Sequence, residues 1–327
     1  MIYKGAFRVV AYTLCAPFSF VTKHMRSLPH SLYPLFLLAL LTACDDTNDD
    51  DNGWDNTSPS RELNVNANDT SQEPALQRLE FPHVRGGSSI VIIHSTDDQW
   101  GINYSVEWDI EKKAQRWSAY QMNSATSRQN TSRYRSDSNQ YPLDPLLARN
   151  HYLSQDCYWN SGYDHGHICP SADRLYSSEA NYQTFFLTNM QPQNHQFNSS
   201  DNSPWYRLEN QVRSWANATT TEMLYVVKGG TIDDDKVLPT LVKGEMRVPR
   251  YFFVALLLKN AQGYKAIGFW MEHQSSFPTA EPLSAFALNI SELEAKTGID
   301  FFCNLPDATE QRVETLPREN VCRAWGL

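Results

Sequence analysis

The densest concentration of reactive side chains in this sequence lies in residues 163–213. It opens with Tyr163-Asp164-His165-Gly166-His167-Ile168-Cys169-Pro170-Ser171-Ala172-Asp173-Arg174. It continues through Asn189-Met190-Gln191-Pro192-Gln193 and Asn198, and closes on Trp205-Tyr206-Arg207-Leu208-Glu209 with Arg213 one helical turn on. Histidine titrates close to working pH and suits proton abstraction from an attacking water. Amide and carboxylate oxygens suit a hard cation that keeps most of its waters. Taken singly, a histidine such as His167 is more often part of a packed interior than catalytic. Glu209 and Arg213, four residues apart, could be no more than an exposed ion pair worth a few tenths of a kcal/mol. The same stretch is open to a second chemistry, because Cys157, His165, His167 and Cys169 include alternate residues of a strand and are ligand types that hold Zn²⁺. Cysteines outside the cytoplasm usually oxidise, and this spacing matches no zinc motif. Zinc binding therefore stands second.

In order and spacing these residues resemble the DNA/RNA non-specific endonuclease family. Its signature is D-R-G-H, then N-x-x-P-Q, an asparagine nine residues after the first, and W-x-x-L-E on a helix; here the asparagines are Asn189 and Asn198. The likeness continues at Tyr225-Val226-Val227-Lys228-Gly229-Gly230 and at Glu294-Ala295-Lys296-Thr297-Gly298-Ile299-Asp300-Phe301-Phe302, so it covers nearly all of residues 76–327. The resemblance implies an α+β fold: a ββα-metal (His-Me finger) core within a larger, mostly antiparallel β-sheet flanked by helices. It implies metal-dependent hydrolysis of DNA and RNA phosphodiesters without sequence preference, since metal and arginine contacts read phosphate rather than base. His167 is then the general base. Asn198 is the direct ligand of a single Mg²⁺, for which Mn²⁺ or another divalent ion can substitute, and Glu209 holds metal-bound water. Asn189 orients the phosphate or the catalytic histidine, and Arg213 contacts phosphate. For the family's upstream phosphate-binding arginine the candidates are Arg133, Arg135 and Arg128, with Arg133 preferred.

The chain departs from the family at one position, where His165 replaces the arginine between Asp and Gly. Histidine is shorter and charged only part of the time near neutral pH. A phosphate contact is thereby in question, while the base and metal positions are intact. An alternative, a lipid-anchored nucleic-acid-binding protein that kept the fold and lost the activity, rests on that substitution alone. Three extra residues between Asn198 and Trp205 are expected to form a loop, 199–203, beside the metal.

The elements that must position these groups read as one domain. Residues 90–93, 104–108, 223–227, 251–258 and 266–271 are rich in β-branched and aromatic side chains and bounded by turn residues, as strands are. Residues 164–169 and 185–189 read as two further strands. A helix is predicted from Ser203-Pro204, a cap followed by a proline suited to the first turn, with Trp205, Leu208, Val212 and Trp215 on one face. A second should open at Ser291-Glu292-Leu293-Glu294, a capping-box pattern, and end at Gly298.

The amino-terminal region has another character. Residues 32–41 (LYPLFLLALL), preceded by Lys23 and Arg26 and followed by Leu41-Thr42-Ala43-Cys44, resemble a bacterial lipoprotein signal peptide. The run is short of the roughly 20 apolar residues a membrane span needs but fits a cleaved export segment. Lipid on Cys44 would tether the protein to a membrane. The expected organisation is an upstream extension at 1–24 with Met25 the true start, a signal at 25–44, an acidic disordered tether at 45–75, and the endonuclease domain at 76–327. The expected location is the outer membrane or cell surface. Net charge is −9, but residues 45–75 carry nine acids and one arginine, so the remainder is only mildly acidic and phosphate binding must come from local arginines or a metal. In an exported chain an even set of cysteines favours disulfides. Cys303 is expected to pair with Cys322, and Cys157 with Cys169.

Overall fold

The computed structural model describes residues 8–11 and 63–327. Its strands are β1 (Arg8–Ala11), β2 (Ser89–Ser95), β3 (Ile102–Asp109), β4 (Ala114–Met122), β5 (Asp164–His167), β6 (Met190–Gln193), β7 (Met223–Gly230), β8 (Tyr251–Asn260), β9 (Gly263–Glu272) and β10 (Ala287–Leu288). Its helices are α1 (Ser178–Gln183), α2 (His195–Ser199), α3 (Pro204–Ala216), α4 (Ile290–Thr297), α5 (Asp307–Glu314) and α6 (Arg318–Trp325). Eight strands form one antiparallel sheet in the order β1-β2-β3-β4-β7-β8-β9-β10, and β5 and β6 form a separate ribbon. The expected mixed fold with a large antiparallel sheet is what the chain adopts.

Both faces of the sheet are covered, which explains why β8 is apolar almost without interruption. Ile90, Ile92, Val226, Phe252, Val254 and Phe269 pack with Trp205, Leu208 and Val212 of α3 and Val321 and Trp325 of α6. Val91, Trp117, Phe253 and Leu257 face the other way, onto Ile290 and Leu293 of α4, Val313 of α5 and Phe81. The β5–β6 ribbon belongs with α3 on the first of these faces.

Several expectations need correction. Residues 185–189 are not a strand: a 3-10 turn occupies Leu187–Asn189 and β6 starts at Met190. Pro192 is tolerated because β6 has only one partner. Strand β5 stops at His167, because the next two N–H groups go to Asn189, Ile168 to its carbonyl (3.0 Å) and Cys169 to its side chain (2.9 Å). Helix α4 starts earlier than expected, since its capping box uses Asn289 and Glu292 rather than Ser291. The folded part also begins before residue 76. Asn64 donates to the Leu305 carbonyl, Asn66 to Asp300 and Glu310, and buried Asn68 to the Pro82 carbonyl. Amide side chains, not apolar periodicity, hold this strap, so the sequence pattern misses it.

Neither expected disulfide forms: all four cysteines are free thiols. Cys303 is buried beside Asn68 and the Phe81 carbonyl on the α4 face, whereas Cys322 packs with the α3 face, so the sheet separates them. Cys157 sits in a small cluster with Tyr158, Met190 and Met246, and Cys169 in the main core. The zinc reading falls with them, as no cluster of three or more His, Cys, Asp or Glu suited to a metal occurs among the described residues. Cys44 and the signal and tether residues up to 62 lie outside the described residues; of the upstream extension, Arg8–Ala11 adds a strand to the edge of β2.

Candidate active site

Strand alternation puts His165 and His167 on one side of β5, and Gly166 lets the ribbon close. A Cβ at Gly166 would lie 2.3 Å from the Gln193 side chain, which is fully buried. Around the two histidines opens a cleft of about 510 Å³. It gathers Arg133, His165, His167, Asn198, Glu209 and Arg213, six of the seven site residues expected from the sequence, together with Tyr141, Tyr163, Asp164 and Tyr206. Arg128 and Arg135 do not line it, and neither does any residue of the 199–203 loop. That loop is tied elsewhere: Ser203 donates to the Phe197 carbonyl (2.6 Å) and Asn202 to the Phe277 carbonyl (3.1 Å).

His167 packs edge-on against Phe185, with centroids 4.8 Å apart. Burial, and then the charge of Arg133, pull its pKa down to about 3, while a hydrogen bond to the His165 carbonyl acts the other way. Its Nε2 is buried with no protein partner. A carbonyl only accepts, so a ring nitrogen that meets it carries the proton, and the partnerless Nε2 can then hold the lone pair. The ring is thus neutral, the form a base requires.

His165 is held between two rings, Tyr141 at 3.7 Å and 5° and Tyr158 at 4.2 Å and 18°. Burial takes its pKa down to about 4, with Asp156 and Asp164 opposing. It is therefore neutral at physiological pH. Where the family pattern has a cation, this chain has an aromatic stack.

Asn189 does not reach the cleft. Its side chain is fully buried, accepting from the Cys169 N–H (2.9 Å) and Ser118 Oγ (3.0 Å) and donating to the carbonyls of Cys169 (2.9 Å) and Thr184 (2.8 Å). Of its two expected roles, contact with the phosphate is not served, because the side chain does not line the cleft; it ties the backbone two residues after His167 instead. Ser118 belongs to β4, a strand whose polar sequence AQRWSAYQM hid it; Gln115 and Ser118 are buried and bonded to the ribbon and its turn.

The helix pair Glu209 and Arg213 is also not what spacing suggests. Glu209 accepts from Lys228 Nζ at 2.6 Å, and that buried ammonium lies 4.3 Å over the Trp205 ring. Arg213 donates to buried Asp173 at 2.8 Å, whose other oxygen takes the Tyr120 hydroxyl at 3.0 Å. Both α3 side chains are thus pinned from outside the helix. Lys228, Asp173, Tyr141 and Tyr158 were missed as site residues; only Lys228 carried a signal, in its place beside the buried Val226 and Val227. Arg133, exposed, holds its guanidinium 4.8 Å over Phe185.

Asn198 donates through Nδ2 to Asp164 Oδ2 at 3.0 Å, and His195 Nδ1 meets the same oxygen at 2.9 Å. The amide is oriented with its carbonyl oxygen left as an acceptor. One neutral oxygen in a cleft shared with the Glu209 carboxylate is a sparse donor set. It suits a small hard cation that retains its waters and not a soft metal.

The sequence profile of the DNA/RNA non-specific endonuclease family matches residues 95–308, well over half of the chain. A nuclease of Nostoc sp. is 28% identical over 223 residues, covering 65% of this chain and 75% of its own. Nuclease C1 of Cunninghamella echinulata is 28% identical over 158 residues, covering 46% and 62%. Mitochondrial endonuclease G of Bos taurus is 28% identical over 170 residues, covering 50% and 55%. Among solved structures, a chain from the EndoG/EndoGI complex superposes with a TM-score of 0.53 at 23% identity, covering 65% of this chain and 86% of that one, a likeness of fold. With the cleft assembled from the residues of its signature, the chain belongs to the DNA/RNA non-specific endonuclease family and is a phosphodiester hydrolase.

Proposed function

We propose that this cleft cuts DNA and RNA backbones without sequence preference, with His167 as general base and a single Mg²⁺ held through Asn198. The observation that carries the reading is a neutral histidine whose Nε2 lacks a protein partner, in a cleft shared with two arginines, an oriented amide and a carboxylate. A divalent cation bound there supplies positive charge for the pentacovalent phosphate and the leaving oxygen. Arg133 and Arg213 bind the non-bridging phosphate oxygens, which carry no base information. Glu209, fixed by Lys228, accepts hydrogen bonds from water next to Asn198. His167 Nε2 takes a proton as the water oxygen attacks phosphorus, the bond to the leaving oxygen breaks, and that oxygen is protonated by solvent. A pKa of about 3 makes His167 a weak base in the free protein. The arriving phosphodiester anion offsets the Arg133 charge that helps to lower it. Asp164 and Asn189 position, the first by orienting Asn198 and the second by fixing the backbone after His167.

Substitution at His165 removes one cation and leaves Arg133, Arg213 and the base in the cleft, which speaks against a merely binding descendant of the fold. The test is cleavage of supercoiled plasmid and of RNA by the full chain in Mg²⁺ and in EDTA. Loss of both activities in EDTA and their return with Mg²⁺ support the proposal; binding without cleavage under every divalent ion tried refutes it. We also propose, from the short apolar run and Leu41-Thr42-Ala43-Cys44, that the protein is exported and lipid-anchored at Cys44. Labelled palmitate should enter the wild type and not C44S; equal labelling of both would exclude the anchor.

A further inference from the structure

Phe185, which packs against His167 and beneath Arg133, also touches Tyr134, with centroids 5.2 Å apart. Tyr134 lines a second cavity, of about 610 Å³, that the mechanism does not use. Its aromatic walls are Tyr134, Tyr182 and Phe186, and its polar lining includes His94, Ser178, Glu179 and Gln183. Tyr134 meets Tyr182 edge-on at 4.9 Å and 70°, and Tyr182 meets Phe186 at 5.3 Å and 78°. Both tyrosines are half-buried. On either side of Tyr134, Arg133 and Arg135 are exposed, so the segment reads cation, aromatic, cation. A nucleic-acid strand presents the complementary series of phosphate, base, phosphate.

We propose that this cavity receives an unpaired nucleobase of the substrate strand, adjacent to the phosphate held in the cleft. The inference rests on the nuclease reading above and adds the form of substrate. Every base has a π-face, so stacking on Tyr134 and Tyr182 tolerates any sequence. Glu179 on the rim can accept from the exocyclic amino group of adenine, cytosine or guanine, a group thymine and uracil lack. A base within a duplex is already stacked on its neighbours and reaches the cavity only after leaving them. Single-stranded or locally opened DNA and RNA are therefore bound in preference to continuous duplex.

The experiment is a binding cycle by fluorescence anisotropy in EDTA, where no cleavage occurs. The full-length wild type, Y182L and Y182F are titrated with a short single-stranded DNA and with an oligomer of equal length whose sugars all lack bases; thermal melts establish that each variant is folded. Y182L should bind the intact strand about 5- to 100-fold more weakly than wild type. Y182F should bind it as wild type does, and all three should bind the abasic strand alike. Y134L gives the same pattern and replaces Y182L should the latter not fold. Equal binding of the intact strand by wild type and both leucine variants overturns the proposal, as does a Y182L loss that persists on the abasic strand. If the wild type cleaves nucleic acid while either of those results holds, only the base cavity is refuted. If the wild type binds neither strand, the base cavity is refuted, and the nuclease reading fails with it only if plasmid and RNA also stay uncut in Mg²⁺.

Discussion

Lys228→Met tests whether the helix carboxylate is held from the sheet. Lys228 is 2% exposed, 2.6 Å from Glu209 Oε1 and 4.3 Å from the Trp205 ring centre, and Glu209 is 15% exposed. Methionine keeps the apolar stem and removes the charge, leaving Glu209 as a mostly desolvated carboxylate without its cation. Breaking a buried pair costs about 3–5 kcal/mol. Because Glu209 retains some contact with the open cleft, the lower end applies, about 3 kcal/mol. For a domain of this size that lowers Tm by roughly 6–12 °C. The double variant K228M/E209Q removes the stranded charge and should recover at least half of the lost stability, while its activity stays low because the carboxylate is gone. Urea unfolding of wild type, both single variants and the double variant gives the cycle. A K228M loss below about 1 kcal/mol, or a double variant no more stable than K228M, would show that solvent already screens the pair.

Asp164→Ala frees the Asn198 amide to turn, so the Mg²⁺ concentration giving half-maximal cleavage should rise about 10- to 100-fold with less change in the saturated rate, the usual scale for an outer-shell partner; an unchanged metal titration would remove Asp164 from the site. Glu310 is buried and its carboxyl is pushed up to about 7, so its stabilising protonated form is present below the unfolded value near 4.5 and lost as pH rises through 7. Glu310→Gln should therefore raise stability by about 2 kcal/mol at pH 8 and by little at pH 5, measured by urea unfolding; a gain independent of pH would contradict that origin. Alkylation of the unreduced, denatured protein followed by peptide mapping should find Cys157, Cys169, Cys303 and Cys322 each singly modified; a linked 303–322 peptide would contradict the separation of those residues by the sheet.

How much was legible in the sequence varies with the distance over which residues interact. Trp205, Leu208 and Val212 announced the face of α3 because helical periodicity is local, and all three are buried in the core. The β8 and β9 segments were visible because both faces of the sheet are covered. The polar strand β4 was not, since the Gln115 carbonyl and the Ser118 hydroxyl meet residues more than 70 positions away, Gln191 and Asn189. At the site, residue type and order brought His167, Asn198, Glu209 and Arg213 to one cleft. Type alone could not separate Asn198, which lines it, from Asn189, which is bonded on every side beneath it. The i,i+4 spacing of Glu209 and Arg213 suggested a mutual pair, but each finds a buried partner of opposite charge instead. Cysteine count was a poor guide for the same reason: nearness in sequence does not put two thiols on one side of a sheet.

The central claim is tested most directly by His167→Ala in a single-turnover assay on plasmid DNA at saturating Mg²⁺, with folding followed by circular dichroism and DNA binding by anisotropy. The account predicts a fall in the cleavage rate of about 10²- to 10⁴-fold, with fold and DNA affinity retained. A folded H167A that cuts within a few-fold of the wild-type rate would mean that another group activates the water.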